Sequence, residues 1–291
     1  MNSPNLRELP PLPELRLARI PLSAQPRYRG DRFSYLEKGP ETAPTILMLH
    51  GIGAHAAYFR FQLDELSSHY RVIAWNAPGY MLSDAFKADT VQASDYAQAV
   101  CDFANALGLD RFVLTGNSFG SAVAQAFAIH HPERVRALVL TGTGVGQTVL
   151  NATRRAAFLN RIERVQLGCY QYADSGIEHM IGPDTPSTVR IMMMEITRAI
   201  QPLGLQQAVS FRLSDFYTPA LAHRLNMPVL LVQGDLDRIN PREENADLLL
   251  PKLAHGTLEI WDNTGHLPEI EQPLRFAQSL NNWFQKHRID S

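Results

Sequence analysis

Residues 112–115, a short apolar run, lead into the sequence GNSFG at residues 116–120 and then into a helical pattern. A G-x-S-x-G sequence between a strand and a helix predicts a sharp turn that strains the serine backbone. Gly116 and Gly120 lack the side chains that would crowd such a turn. We expect the Ser118 hydroxyl above the sheet, beside unpaired helix N–H groups that favour negative charge. The alternative is a glycine-rich turn in which Ser118 only caps the helix.

Elsewhere short β-type runs alternate with longer helical patterns, which predicts a mostly parallel sheet with helices on both faces. We predict strands at residues 16–22, 32–37, 45–49, 72–75, 112–115, 135–140, 229–232 and 257–261, and helices at residues 57–68, 92–107, 119–130, 242–250 and 271–286. Between residues 141 and 227 we expect no strand, only helical stretches near residues 151–167, 187–200 and 203–213. A connection between two parallel strands needs only about a dozen residues, so the much greater length of this segment predicts an insertion. We therefore predict an α/β core of residues 1–142 and 227–291, with a helical cap at residues 143–226.

The composition is that of a globular protein and argues against several classes of binding protein. Of the 291 residues, 45% are hydrophobic and 19% charged, and the formal net charge is −2. Without a basic surplus, we predict a small-molecule substrate as partner and neither nucleic acid nor a membrane surface; a homo-oligomer is left open. Two cysteines exclude a disulfide framework and a cysteine metal cluster. No apolar run resembles a signal peptide or a membrane span, so we expect a cytoplasmic protein.

A base and an acid for Ser118 follow two later strands. A serine hydroxyl needs a base to activate it, and the base needs an acid to orient it. One strand is followed by GDLDRINP, which contains Asp235 and Asp237, and the last strand is followed by NTGH, which ends in His266. We predict Ser118 as nucleophile, His266 as general base and Asp237 as the orienting acid. Asp235 competes for the acid role, while a solvated turn carboxylate and a surface or core histidine are the non-catalytic alternatives.

The sequence HGIG at residues 50–53, directly after the strand at residues 45–49, predicts a second donor for a developing negative charge. A turn of this kind supplies a backbone N–H to an oxyanion. We predict that the N–H groups of Ile52 and Phe119 form an oxyanion hole. The alternative is a glycine-rich strand exit in which His50 is a packing residue.

The predicted insertion should cover Ser118, because loops from the carboxyl ends of parallel strands converge at one edge of the sheet. The insertion is rich in apolar residues, and four of them are consecutive, at residues 191–194. The predicted substrate contacts are Gly53, Asn117, Met192, Met193, Phe211 and Leu267. The alternative is that the apolar residues of the insertion only pack its helices together.

From about residue 31 to residue 284 the chain resembles the α/β-hydrolase superfamily. The resemblance rests on HGIG, APGYMLSD, GNSFG, GDLDRINP and NTGH in this order. It implies the α/β-hydrolase fold with an inserted helical cap and an acyl-serine intermediate, and it implies no metal or organic cofactor. The epoxide-hydrolase and haloalkane-dehalogenase branches carry Asp where this chain has Ser118.

Within that superfamily, GNS and HGIG are similar to those of the meta-cleavage-product C–C hydrolases and related esterases. Those C–C hydrolases usually have Trp after the catalytic histidine, where this chain has Leu267, and they bind a substrate carboxylate with a cap arginine. Arg190 and Arg198 are available for this in the insertion. We predict a serine hydrolase of a carboxylic ester or related acyl bond in a small hydrophobic substrate. The alternatives are C–C hydrolysis of dienoates, a slow-turnover ligand receptor with a hydrolase triad, and acyl transfer to an acceptor other than water.

Overall fold

The structure, a computed structural model, describes residues 8–146, 152–167 and 174–289, and an eight-stranded sheet lies at its centre. The strands are β1 (Leu15–Arg19), β2 (Arg32–Lys38), β3 (Thr45–Leu49), β4 (Arg71–Trp75), β5 (Phe112–Asn117), β6 (Val135–Thr141), β7 (Val229–Gly234) and β8 (Gly256–Trp261). They lie in the order β1-β2-β4-β3-β5-β6-β7-β8. Strand β2 is antiparallel to β1 and β4, and the neighbours from β4 to β8 are parallel. The predicted α/β architecture is confirmed, with strand ends displaced by at most a few residues.

The helices of the described residues mostly follow the sequence prediction. They are α1 (Arg60–Glu65), α2 (Ala93–Ala106), α3 (Phe119–His130), α4 (Ala152–Gln166), α5 (Asp174–Glu178), α6 (Ser187–Arg198), α7 (Pro202–Arg212), α8 (Thr218–Leu221), α9 (Ala246–Leu249), α10 (Pro268–Glu271) and α11 (Pro273–His287). The helix predicted at residues 242–250 is broken, because Asn245 has a non-helical backbone (φ −135°, ψ −83°). The helix predicted at residues 271–286 corresponds to α11, and the short α10 before it was not predicted; Gln272, with a non-helical backbone (φ −129°, ψ 61°), separates the two.

The hydrophobic core occupies both faces of the sheet, as β3 illustrates. Leu47 and Leu49 belong to one buried cluster, whereas Ile46 and Met48 belong to the cluster on the other side. Successive side chains of a strand point to opposite faces, so a strand in the middle of a parallel sheet is apolar throughout. This burial explains why the central strands were visible in the sequence as continuous apolar runs.

Helices α4 to α8 all lie between β6 and β7, in agreement with the predicted helical insertion. Helix α7 is attached to the loop before α2: Gln207 Nε2 donates hydrogen bonds to Phe86 O (2.9 Å) and Ala88 O (2.8 Å), and Val91 N donates to Ser210 Oγ (2.8 Å). Asn151, at the start of one predicted helix, and Cys169 lie outside the described residues. The division into core and cap at residues 142 and 227 stays a prediction.

None of the helices in these described ranges combines the length and the apolar character needed to cross a membrane.

The two glycine-rich turns leave neighbouring strands. Strand β3 lies between β4 and β5, so the chain passes first to one side of β3 and later to the other. In open α/β sheets, the crevice outside the carboxyl ends of the strands at such a reversal is the usual place for a ligand. The fold therefore places the HGIG turn after β3 beside Ser118 after β5.

Candidate active site

Ser118 has a strained backbone at the junction of β5 and α3, with φ 53° and ψ −113°. Its backbone is held on both sides: Ser118 N donates to Thr141 O (3.0 Å), and Ser118 O accepts from Ala122 N (3.2 Å) and Ser121 Oγ (2.6 Å). A non-glycine residue with positive φ persists only where the surrounding structure enforces it, and such residues cluster at functional sites. The Ser118 side chain makes no capping hydrogen bond to α3. The geometry therefore does not support the alternative in which Ser118 only caps the helix.

The glycines of GNSFG allow three backbone segments to pack closely. A Cβ atom at Gly116 would collide with Gly120 O, and one at Gly120 would collide with Leu49 O. Both obstacles are backbone atoms that cannot move aside. The turn at Ser118 therefore requires glycine at both positions, as the sequence predicted.

His266 and Asp237 form a buried hydrogen-bonded pair: His266 Nδ1 lies 2.9 Å from Asp237 Oδ2. Because an ionised carboxylate only accepts hydrogen bonds, this contact assigns the proton to Nδ1 and leaves His266 Nε2 as an acceptor. The side chains of both residues are almost fully buried. The two residues come from the loops after β8 and β7, as expected from the order of the motifs.

The Asp237 carboxylate is held by further donors. Its Oδ1 accepts the N–H groups of Ile239 and Asn240 (both 2.9 Å), and its Oδ2 also accepts Gln233 Nε2 (2.8 Å). Burial by itself raises the pKa of Asp237. The proximity of His266 and the hydrogen bonds to the charged form outweigh burial, so the pKa lies below its usual value. Asp237 is therefore ionised at neutral pH.

Asp235, the competing candidate for the acid, lies in a different environment. It is exposed, and its Oδ1 accepts the backbone N–H of Thr264 (3.1 Å). This bond connects the loop after β7 to the loop that carries His266. Asp235 thus holds two loops together through a backbone hydrogen bond, whereas Asp237 is the carboxylate bonded to the imidazole.

The HGIG turn lies against Ser118. A Cβ atom at Gly51 would be 3.4 Å from Ser118 Cβ. His50 supports the turn from below: its Nε2 accepts Ala77 N (3.1 Å), so its Nδ1 carries the proton and donates to Gly51 O (2.9 Å). Burial lowers the pKa of His50 to about 3, so the ring is neutral and this arrangement does not change near neutral pH. His50 is therefore more than a packing residue, because it fixes the turn.

Ile52 and Phe119, the predicted oxyanion donors, come from the HGIG turn and from the start of α3. Phe119 is the first residue of α3, so its N–H has no carbonyl acceptor within the helix. Ile52 lines the same cavity as Ser118. The two residues therefore come from the two loops that this role requires.

A cavity of about 490 Å³ lies at the carboxyl ends of the strands. Ser118 and His266 are both on its wall, together with the predicted contacts Gly53, Asn117, Met193 and Leu267. Met192 and Phe211, also predicted as contacts, are not among the residues lining it. Met192 and Met193 both belong to one hydrophobic cluster, but successive residues of α6 point in directions about 100° apart, and of the two Met193 lines the cavity. The ring of Phe211 instead packs against Phe119 (5.4 Å between centroids) and Tyr96 (5.6 Å).

Several cavity residues were missed by sequence reasoning. They are Ala54, Tyr58, Gly176, His179, Met180, Thr197 and Ile239. Ile239 had a visible signal, since it lies two residues after Asp237. The others depend on how the inserted helices and the turn before α1 are oriented, which no local pattern predicts.

The two cap arginines considered as carboxylate ligands lie elsewhere. Arg190 forms an ion pair with Glu178 and donates to the carbonyl of Thr185 (3.1 Å), and Arg198 pairs with Glu195 (2.6 Å). The described residues that line the cavity include no lysine or arginine. Nor do the described ranges contain a group of three or more His, Cys, Asp or Glu side chains arranged to hold a metal ion.

Glu271, which the sequence analysis did not single out, fixes the loop of His266. Its carboxylate accepts the backbone N–H groups of Gly265 and Leu267 (both 2.9 Å), on either side of His266, and that of Gly182 (2.6 Å) in the insertion. His266 N donates to Met180 O (2.6 Å). The loop is therefore bound to the insertion from two directions, which restricts the position of the imidazole.

Gly142 packs against the imidazole and provides a test of this restriction. Gly142 has φ +48°, and a Cβ atom there would lie 2.8 Å from both Cε1 and Nδ1 of His266. We expect Gly142→Ala to displace the ring and to lower kcat/KM by about a hundredfold. Gly108→Ala is the matched control, because Gly108 also has positive φ (+64°) but nothing within 4 Å of the added carbon. Equal activity of the two variants in an ester assay would contradict the prediction.

Comparison with known proteins identifies the family of the chain. The model of the α/β-hydrolase fold matches residues 44–173. A 2-hydroxy-6-oxo-6-phenylhexa-2,4-dienoate hydrolase from Comamonas testosteroni is 39% identical over 259 residues, which cover 88% of this chain and 74% of that protein. A 2-hydroxy-6-oxononadienedioate/2-hydroxy-6-oxononatrienedioate hydrolase from Pseudomonas putida is 26% identical over 261 residues, covering 84% of this chain and 89% of that protein.

Among solved structures, a thermophilic esterase from Thermogutta terrifontis superimposes with a TM-score of 0.79 at 22% identity, covering 96% of this chain and all of that one. A 2-hydroxy-6-oxo-6-phenylhexa-2,4-dienoate hydrolase from Rhodococcus sp. strain RHA1 gives a TM-score of 0.74 at 22% identity, covering 94% and 99%. At these identities the structures show a shared fold, while the sequence relatives show the family. The chain therefore belongs to the α/β-hydrolase family and is a hydrolase.

Proposed function

We propose that the chain hydrolyses carboxylic esters or related acyl bonds through an acyl-enzyme on Ser118. The observation that carries the proposal is the buried His266–Asp237 pair on the wall of a cavity that also contains the strained Ser118. Both members of a base–acid pair and a nucleophile must face one space for this chemistry.

The reaction proceeds by two acyl transfers. His266 Nε2 takes the proton of Ser118 Oγ as the oxygen attacks the carbonyl carbon, and the Ile52 and Phe119 N–H groups stabilise the oxyanion. His266 then gives this proton to the leaving alcohol, and the C–O bond breaks. In the second half, His266 takes a proton from water as the water attacks the acyl-enzyme, and it returns that proton to Ser118. Asp237 stabilises the imidazolium at both stages.

An uncharged, hydrophobic acyl group suits the cavity. Met180, Met193 and Leu267 supply much of the wall, and the volume is in the range of small-molecule sites. A carboxylate on the substrate would need a cation to offset its desolvation. Among the described residues on the wall, His179 and His266 are the side chains that could carry a positive charge.

Hydrolysis of a C–C bond in a dienoate is the second candidate, and the 39% identity with the Comamonas testosteroni enzyme favours it. The same nucleophile and base would serve that reaction. Two features of the site favour the ester: Leu267 follows His266 where Trp is usual in C–C hydrolases, and Arg190 and Arg198 are engaged away from the cavity.

Matched substrates distinguish the two candidates. We expect kcat/KM for p-nitrophenyl butyrate to exceed that for the p-nitrophenyl monoester of succinate by about tenfold or more, because the second places a carboxylate in an apolar cavity. Cleavage of 2-hydroxy-6-oxo-6-phenylhexa-2,4-dienoate, followed by loss of its yellow colour, should be slower than that of the neutral ester. A kcat/KM for the dienoate that exceeds that for the butyrate would instead assign C–C hydrolysis. Quenched reactions analysed by mass spectrometry should locate the butyryl group on the peptide that contains Ser118.

A further inference from the structure

Glu269 is a buried carboxyl group that the reaction above does not use. It lies in α10, three residues after His266, and is 1% exposed. Its Oε1 accepts the hydroxyl of Thr141 (2.9 Å). A fully buried carboxyl group next to a proposed general base needs a physical explanation, because burying an ionisable group is costly.

Hydrogen bonds connect this carboxyl group both to the turn that carries Ser118 and to the loop that carries His266. Thr141 Oγ1 accepts Asn117 Nδ2 (3.2 Å), and the same amide group donates to His266 O (3.2 Å). Asn117 directly precedes Ser118, and Thr141 O also accepts Ser118 N. The chain Glu269–Thr141–Asn117 thus connects the turn after β5 with the loop after β8, although β6 and β7 lie between those strands.

We propose that Glu269 is a positioning residue that, through Thr141 and Asn117, holds the Ser118 turn and the His266 loop at a fixed separation and adds a second negative charge beside His266. The proposal rests on the proposed serine hydrolysis and extends it to a residue that does not touch the substrate.

The charge of Glu269 changes in the pH range where the enzyme would work. Burial raises its pKa to about 7. Contacts with its own backbone N–H and with the hydroxyls of Thr141 and Tyr58, and to a smaller extent the proximity of His266, offset part of this increase. The groups that face the carboxyl are His266, the Thr141 hydroxyl and Tyr58. Neither Tyr58 Oη nor Glu269 Oε2 has a hydrogen bond of ordinary geometry among the described residues, but the two interact electrostatically, and Glu271 acts on the same tyrosine.

The effect on His266 follows from reciprocity. Because His266 favours the ionised form of Glu269, an ionised Glu269 favours the imidazolium form of His266 by the same free energy. Deprotonation of Glu269 therefore assists the steps in which His266 accepts a proton.

Glu269→Gln separates charge from shape, because glutamine keeps an oxygen that accepts the Thr141 hydroxyl. The rate of Ser118 labelling by a fluorophosphonate should be measured from about pH 5.5 to pH 9. We expect the wild-type profile to contain two coupled ionisations. The Glu269→Gln profile should contain one, because the ionisation of the carboxyl group is lost. Glu259→Gln is the matched control: Glu259 also accepts a hydroxyl, that of Ser279 (2.8 Å), but lies outside the cavity wall. Its profile should coincide with the wild type, and a coinciding Glu269→Gln profile would overturn the proposal.

Thermal unfolding provides an independent readout of the same charge. Because the folded-state pKa of Glu269 is above its ordinary value, its ionisation lowers stability as pH rises from about 4.5 to about 7. The Tm of Glu269→Gln relative to wild type should therefore be higher at pH 8 than at pH 5. A pH-independent difference would contradict the buried ionisation.

Thr141→Val tests the hydrogen-bond chain directly. It tests the positioning role of Glu269 even if Glu269→Gln fails to fold. We expect its labelling rate constant to fall by about tenfold or more with little change in the affinity for the probe, and Thr141→Ser to restore it. Wild-type labelling by Thr141→Val would overturn the positioning role. If wild-type protein is not labelled, or if Ser118→Ala is labelled equally, the proposed serine hydrolysis fails instead.

Discussion

Ser118→Ala should lower kcat/KM for ester hydrolysis by about four orders of magnitude or more. Without Oγ no acyl-enzyme forms, and His266 has no hydroxyl to activate. The oxyanion donors and the cavity remain, so a low residual rate above that of the uncatalysed reaction is expected. Initial rates with p-nitrophenyl butyrate measure the loss.

Two further variants show that this loss is chemical and not structural. Ser67→Ala removes an exposed hydroxyl that donates to Asp64 O (3.2 Å) and does not line the cavity, and it should keep full activity. Ser118→Gly relieves the positive φ of 53° and should raise the free energy of unfolding by about 1 kcal/mol while remaining inactive. A folded Ser118→Ala protein with undiminished turnover would refute the nucleophile.

The turn at Ser118 was predictable because local sterics determine it. The backbone collisions at Gly116 and Gly120 leave few residues that fit, and α3 begins and ends at the predicted residues, Phe119 and His130. The motif after β7 was similarly informative, since Asp237 is held by N–H groups only two and three residues further on. Contacts within a short segment leave a pattern in the sequence.

The cavity wall and the buried acids were not predictable for the opposite reason. Whether Met192 or Met193 faces the cavity depends on the rotation of α6 against the core, which tertiary contacts determine. Glu269 bonds to a residue 128 positions away in the chain, and Glu271 to one 89 positions away. In the sequence both look like ordinary acidic residues near a helix N-terminus, where such residues are common.

Asp237→Asn should lower kcat by about three to four orders of magnitude, whereas Asp235→Asn should remain within a few-fold of wild type. The difference follows from what each carboxylate contacts. An amide at position 237 can turn an NH₂ donor toward His266 Nδ1, which would move the ring proton to Nε2 and leave no base for Ser118. An amide at position 235 still offers an oxygen to the N–H of Thr264.

Both Asp variants remove one negative charge from the same loop, so each is the electrostatic control for the other. Steady-state kinetics near pH 8 with one neutral ester, together with thermal unfolding of each variant, completes the comparison. If Asp235→Asn were the damaged enzyme, the acid would be assigned to Asp235 and the 2.9 Å contact between His266 and Asp237 would be structural. If both kept full activity, His266 would act without an orienting acid, and the buried donors around Asp237 would have no catalytic role.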